Sequence, residues 1–101
     1  MQVTVLERIA LLNLLPREGN ILTVRTIRDL KKKLEFTESD IKTLDLKPEG
    51  QMIRWSHEKE FELTVEFTDG ESGIIKAELK RLDEEKKLTA DHISLYEKFM
   101  E

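Results

Sequence analysis

The sequence predicts a single α+β domain over residues 1–101: three N-terminal helices, a β-hairpin in the position of a winged helix's wing, and two C-terminal helices. Two observations predict it. Apolar residues recur at three- and four-residue spacings as far as Leu44 and again after Thr68, whereas between these stretches the period falls to two. The length of 101 residues is enough to bury one core and too short for two, and no repeat, low-complexity run or flexible linker is visible.

Val5, Leu6, Ile9, Ala10, Leu12 and Leu15 make one broad stripe, which predicts a first helix over 3–15. Pro16 stops it, because proline disfavours helical geometry in the residue before it and lacks an amide, and Gly19-Asn20 supplies a turn. A second helix is expected to start at Thr23 or Thr26, turning Val24, Ile27, Leu30 and Leu34 inward. Thr37-Glu38-Ser39-Asp40 caps a short third helix ending near Leu44, with Ile41 and Leu44 as its core contacts.

Lys47-Pro48-Glu49-Gly50 reads as a turn, and Glu60 to Phe67 then alternates apolar and polar for eight residues. A hairpin that keeps the apolar face on one side sets Trp55 opposite Phe61, Ile53 opposite Leu63 and Arg54 opposite Glu62, around a loop centred on Glu58. Thr68-Asp69-Gly70-Glu71 is a capping box and predicts a fourth helix that buries Ile75, Leu79 and Leu82. Thr89 separates it from a fifth helix carrying Ile93, Tyr96, Phe99 and Met100.

The absence of cysteine removes disulfides, thiolate nucleophiles and cysteine-based metal clusters, and fits a reducing compartment. Charges at Glu7 and Arg8 interrupt the N-terminus before a secretory stretch forms, and no window approaches the roughly 20 apolar residues that span a bilayer. A cytosolic protein without membrane contact is expected. The net charge of −4 is unevenly spread: residues 1–34 hold seven Lys and Arg against three acids, and the rest holds ten against eighteen. The two regions attract each other, within one chain or head-to-tail between chains.

No constellation for catalysis stands out, and neither metal nor cofactor is called for. His57 and His92 lack ligand-spaced partners, and Asp91 and His92 point about 100° apart on a helix. The four serines lack nucleophile-elbow glycines, and the four glycines form no phosphate-cradling loop. Glu60, Glu62 and Glu66 share the water side of a strand.

The strongest polar cluster is on the second helix. Arg25, Arg28 and Lys32 form one stripe at spacings of three and four, and Lys31 and Lys33 widen it. Two readings stand. The stripe is an anion-binding face for nucleic-acid phosphates or an acidic protein partner, or it is the water side of an amphipathic helix facing the acidic C-terminal region. A pI of 5.3 disfavours nucleic acid. So does the third helix, which in a winged helix would read DNA but here offers Glu38, Ser39 and Asp40 to the phosphates.

Leu6-Glu7-Arg8, Leu12 to Leu15 with Pro16, Glu18-Gly19-Asn20, Asp29-Leu30, Phe36-Thr37-Glu38, Leu82 to Leu88, and Ser94-Leu95-Tyr96-Glu97-Lys98-Phe99 resemble small proteins encoded in tailed bacteriophages and prophages. The similarity covers most of the chain and is weakest from Gln51 to Phe67. It implies a viral product in the bacterial host cytosol and brings no assigned activity. The first functional expectation is a non-enzymatic protein that binds a host or defence-system protein. The others are a homo-oligomeric structural or assembly accessory, a winged-helix DNA-binding regulator, and a protein that sequesters a nucleotide signal using Arg25, Arg28 and Arg54.

Overall fold

The computed structural model describes residues 1–50 and 52–101. The order is β1 (Gln2–Val3), α1 (Val5–Leu14), α2 (Ile21–Leu34), α3 (Glu38–Leu44), β2 (Lys47–Glu49), β3 (Met52–Arg54), β4 (Leu63–Thr64), α4 (Asp69–Glu84) and α5 (Ile93–Met100). One-turn 3-10 segments lie at His57–Lys59 and Ala90–His92. The expected α+β class, with helices on both sides of a hairpin, is what the chain adopts.

Helices α1, α2, α4 and α5 enclose one aliphatic core. Leu11 and Leu14 meet Leu30 and Leu34 from α2, Ile75 and Leu79 from α4, and Leu95 and Phe99 from α5. Phe67 closes its edge with a T-shaped contact to Phe99 at 5.4 Å between centroids. Beside this core, α3 anchors through the fully buried Leu44, while Ile41 faces solvent.

The strand pairing departs from the expected hairpin. Lys47–Glu49, expected as a turn, is a strand that pairs with β3, setting Pro48 opposite Ile53 around Gly50. Gly50 has φ +62°, a conformation that glycine adopts without penalty. The alternating stretch gives a strand of only two residues, β4, and its partner is β1: Val3 lies opposite Leu63 and Gln2 opposite Thr64. Trp55 therefore opposes neither Phe61 nor any core residue. It is half-buried beside the 3-10 turn, tilted against His57 and donating its indole N–H to Glu60.

Helix starts also shift. The first helix begins at Val5 rather than Val3, because Thr4 caps it and Glu7 closes a capping box. Asn20, expected within a turn, is the cap of α2, its side chain accepting from the Thr23 amide. That earlier start leaves Ile21, Leu22 and Val24 exposed, whereas Val24 was expected inside. In α1 the expected Val5 and Ala10 are buried, joined by Leu11 and Leu14 and by the charged Glu7 and Arg8, while Leu6 is exposed and Ile9 and Leu12 are half-buried. In α5, Leu95 replaces Ile93 as the core contact. The Thr68–Glu71 capping box forms as expected, with both reciprocal bonds present.

A short repeat organises the helix starts. Glu35-Phe36-Thr37 precedes α3 and Glu66-Phe67-Thr68 precedes α4, each followed by an acid at the third helical position. In both, and again at α1, a cation from another helix donates to that acid and to the carbonyl two residues before the capping Thr. Lys98 donates to Glu7 and the Gln2 carbonyl, at 2.7 and 2.8 Å. Arg8 donates to Asp40 and the Glu35 carbonyl, at 3.2 and 2.9 Å. Lys33 donates to Glu71 and the Glu66 carbonyl, at 2.7 and 2.9 Å. These clamps tie α5 to α1, α1 to α3, and α2 to α4.

Candidate functional site

The basic residues of α2 border a groove of about 410 Å³ between α2 and the chain that leaves α1. Its floor and wall are apolar: Pro16, Val24 and Ile27. Its rim is charged: Arg17, Arg28, Lys31, Lys32 and Glu35. The local sequence explains the shape. Pro16 ends α1 and turns the chain, bringing Arg17 beside α2, while the helical period puts Val24, Ile27, Arg28 and Lys31 along one flank of α2.

Of the expected site residues, Arg28, Lys31 and Lys32 meet on this groove. Arg25 is exposed on the same helix but does not line it. Lys33, expected to widen the basic stripe, turns the other way into its clamp with Glu71, so it contributes no free charge. Arg28 is within 3.3 Å of Asp29, both well exposed. Among the described residues Arg17, Arg25, Lys31 and Lys32 make no ion pair, so their ammonium and guanidinium groups stand in water. Among the described residues, the expected docking of this face on the acidic C-terminal region occurs through Lys33 alone.

Five groove residues, Pro16, Arg17, Val24, Ile27 and Glu35, were not among the expected site residues. Arg17 and Pro16 lie beyond the helix break, where periodicity carries no information, and Val24 was assigned inward. In the first turn of α2, Ile21 is 66% exposed on the flank of the groove, and Leu22, 71% exposed, is on the opposite side of the helix, in line with Thr26 and Lys33. The outer side of this helix thus carries apolar side chains at its start and cations at its end.

The arginines considered for a nucleotide do not converge. Arg54 sits on β3, paired with Glu49 at 3.0 Å, and borders a different depression with Trp55 and Pro48. At the start of α3, Asp40 is taken up by Arg8, whose guanidinium also stacks 4.0 Å from the Phe36 ring. His92 accepts from the Thr89 amide through Nδ1, and His57 lies 3.5 Å from Glu60. Among the described residues no three acids or histidines gather as a metal-binding group.

Two carboxyls of the clamps are perturbed. Burial pushes Glu7 up, but the Lys98 ammonium and the Thr4 amide outweigh it and hold the group below the ordinary glutamate value. Asp40 behaves alike: burial raises it, and the Thr37 amide and Arg8 bring it below the ordinary aspartate value. Both groups hold the fold together and neither faces the groove.

Among the described residues no helix is long and apolar enough to cross a membrane. Comparison with family models, curated proteins and solved structures gives no match.

Proposed function

We propose that this chain is a non-enzymatic phage or prophage protein that works in the bacterial cytosol by binding a host or defence-system protein, with the α2 groove as its contact. The supporting observation is the groove itself. Arg17, Lys31 and Lys32, which make no ion pair among the described residues, border an apolar floor together with Arg28, whereas the charges at the clamps are consumed by the fold. Unpaired surface cations beside exposed aliphatic side chains suit a protein surface that supplies both acids and apolar contacts. The phage setting comes from the sequence resemblance.

The test is affinity capture from bacterial lysate with the wild-type chain and, in parallel, the double variant Lys31→Glu, Lys32→Glu. Both positions are exposed, so melting temperature is expected to stay within a few degrees. A protein captured by the wild type and lost from the variant supports the reading. Equal capture by both moves the contact elsewhere on the surface.

A further inference from the structure

We infer that the groove takes an acidic amphipathic helix of the partner, running antiparallel to α2, with its carboxylates in its first turns and its apolar residues further along. This rests on the reading of the groove as a protein contact and adds what occupies it and in which direction.

The direction follows from how α2 is laid out. Its fourteen residues span roughly 21 Å, enough for a partner helix of similar length. On the flank that carries the groove, the N-terminal half presents Ile21 and Val24 to solvent, 66% and 41% exposed. The C-terminal half presents Lys31 and Lys32, with Arg28 between the two zones and Arg17 across the groove. A complementary segment must therefore be apolar at one end and acidic at the other. Acids are favoured in the first turn of a helix, where they meet free amides and the positive end of the helix dipole. A helix with its acidic first turns over Lys31 and Lys32 has its start at the end of α2, which makes the pair antiparallel. Its apolar residues, at spacings of three and four, then rest on Val24 and the exposed first turn of α2.

A polyanion such as duplex nucleic acid fits this face less well. It brings no apolar surface for Ile21 and Val24, and Glu35 on the rim and a net charge of −4 oppose a continuous row of phosphates.

The experiment uses the full chain and fluorescence anisotropy. The probe is a fluorescein-labelled, end-capped peptide of about 16 residues, with glutamates in its first two turns and leucines at three- and four-residue spacing in its last two. The control is the same peptide with its sequence reversed, identical in composition and charge. The forward peptide is expected to bind about tenfold or more tightly than the reversed one, and to weaken as salt rises. Lys31→Glu with Lys32→Glu, and separately Val24→Asp, are each expected to lose about tenfold or more, the first through charge and the second through the apolar contact. Equal binding of forward and reversed peptides overturns the inferred direction. Failure of both peptides, while lysate capture still depends on Lys31 and Lys32, overturns the helical occupant and leaves the protein-contact reading intact. A labelled DNA duplex that binds more tightly than the peptide through the same lysines overturns both.

Discussion

Lys98 Nζ lies 2.7 Å from Glu7 Oε1, ninety-one residues earlier in the chain, and the same ammonium donates to the Gln2 carbonyl at 2.8 Å. Glu7 is almost fully buried and also accepts from the Thr4 amide. One side chain thus closes a helix cap and ties the last helix to the first. Lys33 with Glu71, and Arg8 with Asp40, repeat the arrangement.

Removing the cation strands a buried carboxylate. Lys98→Met keeps the hydrocarbon stem and deletes the charge, and it is expected to cost about 1–3 kcal/mol, less than a fully buried pair because Lys98 remains about one-third exposed. Lys80→Met, on the exposed side of α4, is expected to cost under about 0.5 kcal/mol. Urea melts of both variants provide the comparison.

Stability should fall in acid through the same groups. Glu7 and Asp40 ionise more readily in the folded chain than at their ordinary values of 4.5 and 3.8. Their contribution is therefore fully present above those values and is lost as pH drops through the lower, folded ones. Glu7→Gln is expected to lower stability at pH 7 and to flatten the acid limb. Chemical melts from pH 7 to pH 3 give the slope.

The capping box before α4 is open to a smaller change. Thr68→Ala deletes the oxygen that accepts from the Glu71 amide and is expected to cost about 1 kcal/mol. Thr68→Ser keeps that oxygen and is expected to recover most of the loss, which a thermal melt resolves.

Trp55 marks the difference between the sequence expectation and the fold. As a buried anchor of a hairpin it would cost roughly 3 kcal/mol or more on truncation. Half-buried outside the main core, it is expected to cost about 1 kcal/mol as Trp55→Ala, whereas Leu30→Ala, fully buried between helices, is expected to cost about 2–5 kcal/mol.

What was legible in the sequence was local. Pro16 ended a helix, Thr68 and Glu71 started another, and Ile27, Leu30 and Leu34 turned inward, because each depends on residues within one or two turns. The strand partners were not legible. β4 pairs with β1 about sixty residues away, and the two-residue length of β1 limits the ladder however well Glu60 to Phe67 alternates. The burial of Glu7 and Arg8 was not legible because a buried ion is recognised only by its partners, and those lie on α5 and α3. In the groove, the α2 cations could be read from their spacing, while Arg17 required the turn at Pro16 to be known in space.

On the proposed reading, the outer side of α2 is where this chain meets its partner. Hydrogen–deuterium exchange of the chain, alone and with the captured partner, tests it most directly. Added protection over residues 16–35, with the hairpin at 47–54 unchanged, is the predicted result; protection confined to the hairpin or to α5 would contradict it.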